Sequence, residues 1–307
     1  MLGIVHMQTE QHSRTAVAVA FMRAQHHLHD EPKVMDDPYA HRLLTAGEMA
    51  AITERYVRDG AELGITAGDR QSVLARTLRT AKPAAFVLAR ARYTEDRLAM
   101  AVERGVGQYV MVGAGLDTFA YRRVDMRERL QVFELDHPRS QAFKRERLAA
   151  AGLTDPANLH FGTVDFERES VAEALARLPF RSDRPAVFGW LGVTMYLTRA
   201  AIEGTWRALR SVAAPASELV FDFIQPEALS ETASARAQQV RERTRAVGEA
   251  MITGIDPGAL GADLEACGWT LIEHVDAAEI RRRWFATRTD GYVVGPSGHL
   301  ACAGSNQ

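Results

Sequence analysis

The chain alternates short apolar runs with longer segments whose apolar residues recur at helical spacing. Nearly uninterrupted apolar runs of a few residues are typical of strands that are buried on both faces of a parallel sheet. Seven runs predict strands at residues 108–113, 131–136, 159–164, 185–191, 217–224, 270–275 and 298–303. Helical spacing predicts helices between them at residues 118–124, 138–151, 168–178, 198–213 and 258–267. This alternation predicts an α/β fold with a mostly parallel, seven-stranded sheet.

The first third of the chain has helical patterning and no predicted strand. Residues 15–26 have apolar residues at helical spacing, and residues 73–102 form a longer helical region that Pro83 interrupts or opens. Between them, we expect a helix start in which Asp37 is the cap and Pro38 lies in the first turn.

One polar segment breaks the alternation after the fifth strand. Residues 226–257 contain a polar stretch of helical character, from Glu227 to Val247, and no predicted strand. We therefore predict a helical N-terminal cap over residues 1–105 and a Rossmann-like domain over residues 106–307. Because open α/β sheets bind ligands at the carboxyl edge of their strands, we expect the insertion to form a lid or a substrate wall.

Three strand ends carry residues that suit a nucleoside ligand. Gly113-Ala114-Gly115 follows the first strand, where glycines let the backbone approach a ligand. Glu134-Leu135-Asp136 ends the second strand, where an acid accepts hydrogen bonds from ribose hydroxyls. Asp165-Phe166 follows the third, where an acid and an aromatic ring suit adenine. Thr118 replaces the third glycine of the dinucleotide fingerprint, so we expect a ligand with ribose and no pyrophosphate, such as S-adenosylmethionine (SAM).

Composition limits the classes of protein that fit. The net charge of −2 and the isoelectric point near 6.6 give no global basic excess for nucleic acid. The apolar run at residues 16–22 is too short to span a membrane and lacks a following cleavage site, so we expect neither an anchor nor a signal peptide. Cys267 and Cys302 form no Cys-x-x-Cys motif, and we expect free thiols in the cytoplasm.

Several motifs occur together along the chain. They are Asp37-Pro-Tyr-Ala40, Arg90-Ala-Arg-Tyr-Thr-Glu-Asp96, Gly113-Ala-Gly-Leu-Asp-Thr-Phe-Ala-Tyr-Arg122, Phe133-Glu-Leu-Asp-His-Pro138 with Gln141 and Lys144, and Gly192-Val-Thr-Met-Tyr-Leu197. In this combination the chain resembles the leucine carboxyl methyltransferase family from about residue 14 to residue 303. It resembles more narrowly the bacterial branch of SAM-dependent O-methyltransferases, some of which act on polyketide and other natural-product acids.

The resemblance implies roles for individual residues. Arg90 matches an arginine that holds the carboxylate of the cofactor's methionine part or of the substrate, and a guanidinium fork suits a carboxylate. The alternative for Arg90 is a helix-surface salt bridge with Glu95 or Glu103. Tyr196 would lie near the transferring methyl group, or would be a core tyrosine with its hydroxyl satisfied. Further implied cofactor contacts are Gly113, Ala114, Gly115, Asp117, Leu135, Asp165, Phe166 and, for the ribose, either Glu134 or Asp136.

Two positions depart from the family pattern. Leu191 stands where many members have a glutamate that helps bind the amino acid part of the cofactor. That contact would fall to a backbone carbonyl, with Leu191 still beside the cofactor, or to another acid. Phe119 stands where an arginine is frequent, and both changes bear on the acceptor rather than on the cofactor.

Two clusters of polar residues lie outside these motifs. His26, His27 and His29 lie beside Asp30, but no partner cluster exists elsewhere, so we expect no metal site. Because the N-terminal helices should cover the active site, we include His26 as a candidate catalytic base. Three consecutive arginines at residues 281–283 are typical of a solvated face or of a contact with an acidic ligand, and we expect no nucleic-acid partner.

These observations predict a SAM-dependent O-methyltransferase that releases S-adenosylhomocysteine (SAH). The expected acceptor is a carboxylate or hydroxyl of a small molecule, in particular a secondary metabolite. A carboxylate, with a pKa of about 4, needs no base, whereas a phenol, with a pKa of about 10, would need one such as His26, His27, His29 or His137. One alternative is an NAD(P)-dependent oxidoreductase, against which Thr118 and the lack of a Tyr-x-x-x-Lys pair argue. Another is a non-catalytic metabolite-binding protein, which only Leu191 favours. The sequence does not indicate an oligomeric state.

Overall fold

The computed structural model describes residues 14–166, 168–230, 238, 241–242, 244–245 and 250–305. One seven-stranded sheet has the order β3-β2-β1-β4-β5-β7-β6. The strands are β1 (Gln108–Val112), β2 (Gln131–Asp136), β3 (Leu159–Thr163), β4 (Val187–Trp190), β5 (Glu218–Ile224), β6 (Trp269–Val275) and β7 (Gly298–Ser305). The described helices are α1 (Arg14–His29), α2 (Ala46–Glu62), α3 (Arg70–Thr80), α4 (Lys82–Glu103), α5 (Phe119–Arg122), α6 (Pro138–Ala150), α7 (Val171–Ala176), α8 (Arg199–Val212), α9 (Leu260–Glu265) and α10 (Ala277–Ile280).

All seven predicted strands are confirmed, with ends that shift by a few residues. The first five strands are parallel, whereas β7 runs antiparallel to both β5 and β6. The five predicted helices of the sheet region are also present, although α5 and α7 are short. Pro83 lies at the start of α4, so it opens a second helix after α3.

The helix start predicted at Asp37 is wrong in one respect, because only a 3-10 turn, Ala40–Leu43, forms there. The Asp37 carboxylate accepts hydrogen bonds from the backbone amides of Tyr39 and Ala40, which forms a local turn in competition with an α-helix. Asp37 is also fully buried beside Arg23, so its side chain serves the packing of α1 as well as this turn.

Helices cover both faces of the sheet. On one face, α4 packs against β4, β5 and β7, and α1 packs against α4. On the other, α7 and α8 enclose a second apolar cluster that contains Trp206, Phe221 and Trp269. The N-terminal helices therefore share a core with the sheet, and the domain boundary at residue 105 stays a prediction. Among the described residues, none of the helices combines the length and apolar character needed to cross a bilayer.

The predicted insertion is described only at its two ends. Pro226–Leu229 form a 3-10 turn after β5, and most of the polar stretch up to Val247 lies outside the described residues. At the far end, the Ile252 amide donates to the Met195 carbonyl at 2.8 Å, and the Ile255 amide donates to the Ile224 carbonyl at 2.9 Å. The insertion thus returns across the carboxyl ends of β4 and β5.

Candidate active site

The glycine turn and the acid that ends β2 are in direct contact. Because β1 and β2 are parallel neighbours, their carboxyl ends meet, and the Gly113 amide donates to the Leu135 carbonyl at 2.8 Å. Asp136 Oδ2 accepts from the Gly115 amide and Oδ1 from the His137 amide, both at 2.7 Å. Burial raises the pKa of Asp136, and these two hydrogen bonds oppose the rise. The half-buried carboxylate lies at the carboxyl edge of the sheet, where a ribose would bind.

Glu134 occupies a different environment from Asp136, although alternation along β2 puts both on the same face. Its side chain is fully buried and forms an ion pair with Lys144 of α6. Burial raises the pKa of Glu134 to about 7, and the nearby Lys144 ammonium opposes that rise. The Glu134 carboxyl group therefore lies below the edge of the sheet and faces Lys144 of α6.

A second glycine turn lies beside the first. Gly113 and Gly192 both adopt left-handed conformations, with φ of 74° and 72°. A Cβ atom on Gly113 would lie 2.7 Å from Val193 Cγ2, and one on Gly192 would lie 2.8 Å from Arg90 Nη1. Both distances are too short for real atoms, so the two turns and the Arg90 guanidinium form one closely packed wall.

Arg90 is held by an acid that the sequence analysis missed. Its Nη1 atom lies 3.1 Å from Oδ2 of Asp222, which is fully buried on β5. The other oxygen of Asp222 accepts from the Gly192 amide. The signal that could have identified Asp222 is an acid within the apolar run Leu219–Ile224, because a buried carboxylate needs a partner.

The alternative prediction, a surface salt bridge of Arg90 with Glu95 or Glu103, is wrong. Glu95 pairs instead with Arg122 at 2.6 Å, and Glu103 pairs with Arg129 at 2.7 Å. The Arg90 side chain consequently turns toward the sheet and the Gly192 turn, which is the side where the predicted cofactor contacts lie.

Asp117 ties the glycine turn to the N-terminal helices. Arg23 of α1 donates from Nη1 to Asp117 Oδ2 at 3.0 Å and from Nη2 to the Leu116 carbonyl at 2.6 Å. Burial alone would raise the pKa of Asp117, but the guanidinium groups of Arg23 and Arg122 hold it well below its usual range. Both oxygens of Asp117 are thus directed to cations and backbone of the protein.

The remaining predicted contacts lie along the same edge of the sheet. Asp165 and Phe166 follow β3 and are half-buried, and the last pair of the β2–β3 register joins Asp136 to Thr163. Leu191 and Tyr196 follow β4, also half-buried, and Tyr196 ends the 3-10 turn Thr194–Tyr196. Ala114 lies within the first glycine turn, and its amide also donates to the Leu135 carbonyl.

His26 has both ring nitrogens bonded inside the cap. Nε2 accepts from the Val34 amide at 2.8 Å, so Nδ1 is the ring nitrogen that carries a proton. Nδ1 lies 2.6 Å from Asp30 Oδ2 and 3.1 Å from the Tyr292 hydroxyl. A role for His26 as a base would require one of these buried bonds to break.

The other candidate histidines lie at helix ends. His137 caps α6, where its Nδ1 atom accepts from the Arg139 amide at 3.3 Å. His27 pairs with Asp36 at 2.5 Å, and His29 is exposed at the end of α1.

The strand order with an antiparallel β7, the glycine turn and the acid after β2 together define a class I SAM-dependent methyltransferase fold. The comparison with protein-family models agrees, since the leucine carboxyl methyltransferase model matches residues 16–210. The chain therefore belongs to this family, it is a SAM-dependent methyltransferase, and SAM is its cofactor.

Individual relatives extend the match over nearly the whole chain. A Bacillus subtilis protein, "Putative S-adenosyl-L-methionine-dependent methyltransferase YktD", is 30% identical over 289 residues, which are 92% of this chain and 95% of that protein. A Mycobacteroides abscessus protein, "Putative S-adenosyl-L-methionine-dependent methyltransferase", is 31% identical over 287 residues, which are 91% of this chain and 85% of that protein. The crystal structure of a DUF574 family protein from Streptomyces avermitilis shares the fold, with a TM-score of 0.54 at 14% identity over 98% of this chain and 100% of its own.

Proposed function

We propose that this methyltransferase transfers a methyl group to a carboxylate oxygen of a small molecule, in particular a secondary-metabolite acid, and so forms a methyl ester. The observation that carries the choice of a carboxylate is the bonding of His26, whose two ring nitrogens are both engaged. A carboxylate is already ionised at neutral pH, with a reference pKa of about 4, and therefore does not need the base that a phenol needs.

The residues at the sheet edge fit SAM. Asp136 at this edge would accept from the ribose hydroxyls, and Asp165 and Phe166 at the neighbouring strand end would contact adenine. The Arg90 guanidinium, which lies against the second glycine turn, would bind the carboxylate of the methionine part. Bound SAM supplies a methyl group on a positively charged sulfur. We propose that the protein aligns the acceptor oxygen with that group and excludes water, with Tyr196 near the methyl.

The cap and the insertion support a small acceptor. A Cβ atom on Gly115 would lie 3.4 Å from Ala16 of α1, so α1 packs directly over the glycine turn. On the other side, residues 252–255 cross the ends of β4 and β5. Coverage of the sheet edge from these two sides supports a small molecule rather than a folded partner as the acceptor. The family description, leucine carboxyl, makes a peptide with a C-terminal leucine the competing acceptor.

The experiment uses SAM with a radiolabelled methyl group and three acceptor panels. These are small carboxylic acids, phenols of matched size and shape, and peptides that end in leucine with a free carboxylate. Label in a methyl ester is released as methanol in alkali, whereas label in an ether stays bound. We expect alkali-labile label on small acids and a rate nearly independent of pH between about pH 6 and pH 9, because the acceptor is ionised throughout.

Two outcomes would contradict the proposal. Alkali-stable label on phenols, with a rate that rises with pH, would show hydroxyl transfer and a working base. Labile label on the peptides alone would replace the small-molecule acceptor with a protein carboxyl group.

A further inference from the structure

We propose that Asp222 is a positioning residue for cofactor binding. It fixes the Arg90 guanidinium so that the remaining N–H groups of Arg90 meet the carboxylate of the cofactor's methionine part. The inference rests on the role proposed above for Arg90, and it adds a residue on another strand that acts only through Arg90.

The two partners of this ion pair lie in different surroundings, with Asp222 in the core and Arg90 at the candidate site. Asp222 is fully buried, and its two carboxylate oxygens bind Arg90 Nη1 and the Gly192 amide. The Arg90 side chain keeps 13% of its surface exposed. Within the part of the chain that the structure describes, Asp222 is the one side chain that forms a hydrogen bond or an ion pair with the guanidinium. Nε and Nη2 of Arg90 form no hydrogen bond with the described residues, and they would be the groups that meet the carboxylate of the ligand.

Two contacts fix the position of the guanidinium. Asp222 binds one of its nitrogens, and Gly192 packs against the group with no room for a Cβ atom. A long side chain that is already ordered loses little conformational freedom when a ligand binds, so its hydrogen bonds contribute more to affinity. Asp222 thus supplies an acid from β5 beside the wall that the two glycine turns and Arg90 form. In the same chain, Leu191 replaces the glutamate of the family pattern.

A purely structural role for Asp222 would affect all ligands alike. The test therefore compares SAH with 5′-methylthioadenosine, which has the adenosine and the sulfur but no methionine carboxylate. Calorimetric titration of Asp222→Asn should show SAH affinity reduced by about tenfold or more, as expected for weakened charged hydrogen bonds, with methylthioadenosine affinity almost unchanged. Equal losses for the two ligands, or no loss for either, would overturn the inference.

The ion pair of Arg97 and Glu218 provides a matched control. It also joins α4 to β5, with Nη2 and Oε2 2.8 Å apart, but Glu218 lies at the opposite end of β5 from the site. Glu218→Gln should lower the unfolding temperature and leave the ratio of the two affinities unchanged. If Asp222→Asn folds poorly, Asp222→Glu keeps the charge and displaces it by one methylene, and the same selective loss of SAH affinity is expected.

Arg90→Ala separates failure of this inference from failure of the proposed role of Arg90. Selective loss of SAH affinity in Arg90→Ala, without any in Asp222→Asn, would refute the positioning role alone. Equal effects of Arg90→Ala on both ligands would refute the contact between Arg90 and the carboxylate, and the inference with it. If both hold, the double variant should bind SAH about as weakly as Arg90→Ala, because Asp222 acts through Arg90.

Discussion

Asp136 binds the turn that it faces, since its Oδ2 atom accepts a hydrogen bond from the Gly115 amide at 2.7 Å. The acid expected to bind the ribose therefore also fixes the backbone of the glycine turn. Glu134, two residues earlier on the same face of β2, is instead paired with Lys144 in the core. We therefore expect replacement of Asp136 to affect mainly ligand binding and replacement of Glu134 to affect mainly stability.

Replacement of Asp136 by asparagine should reduce SAH affinity by at least about tenfold, because the ribose loses a charged acceptor whose hydrogen bonds are each worth roughly 1.5–3 kcal/mol. The free energy of unfolding should change by less than the free energy of SAH binding, since the amide oxygen of asparagine can still accept from one backbone amide. Calorimetry and urea denaturation would measure the two effects.

Replacement of Glu134 by glutamine should show the reverse pattern. It leaves Lys144 buried without an anion, and breaking a buried pair from one side costs about 3–5 kcal/mol. SAH affinity of the folded fraction should stay close to that of the wild type. If Glu134→Gln mainly weakens SAH binding, Glu134 rather than Asp136 contacts the ribose.

Gly192→Ala should weaken SAH binding and destabilise the fold. The left-handed conformation costs a non-glycine residue roughly 1–2 kcal/mol, and the new Cβ atom would lie 2.8 Å from Arg90 Nη1. Gly204→Ala is the matched control, because Gly204 lies within α8 with no neighbour near the added atom, and alanine there should stabilise the helix by up to about 1 kcal/mol. Normal SAH affinity in Gly192→Ala would show that the wall formed by the two glycine turns and Arg90 does not bind the cofactor.

Arg23→Met should destabilise the protein by about 3–5 kcal/mol, because it removes the cation from two acids, Asp37 and Asp117, in a buried network. SAH affinity should fall as well, since Arg23 joins α1 to the glycine turn. Arg92→Ala provides the comparison, because its pair with Asp96 is exposed and such pairs contribute about 0–1 kcal/mol. Similar unfolding curves for the two variants would contradict this assignment.

Acid should destabilise the protein partly through His299. Burial, with a smaller contribution from His274, lowers the pKa of His299 from 6.5 to about 4. Between these values the unfolded chain binds more protons than the folded chain, so the unfolding free energy falls as the pH drops from about 6.5 to about 4. His299→Gln should flatten this dependence in urea denaturation, whereas the exposed His29→Gln should not. An unchanged slope in His299→Gln would refute a neutral, buried His299.

The candidate site was predictable where local sequence carries the signal. The glycine turn and Asp136 follow apolar strands within a few residues, so the strand pattern alone brings them to one edge. Asp222 was missed because its partner Arg90 lies 132 residues away and one acid scarcely alters an apolar run. The bonding of His26 was equally hidden, since Tyr292 lies 266 residues further along the chain.

The sequence by itself determined the seven strands, the succession of strands and helices along the chain, and the residues at the strand ends. Hydrophobic periodicity and glycine turns are local properties of the sequence. Only the tertiary structure decided which charges pair. Asp222 with Arg90, Glu134 with Lys144 and Asp117 with Arg23 each join separate elements. The energies of these contacts depend on burial and distance between side chains, and neither quantity exists until the sheet and its helices are packed.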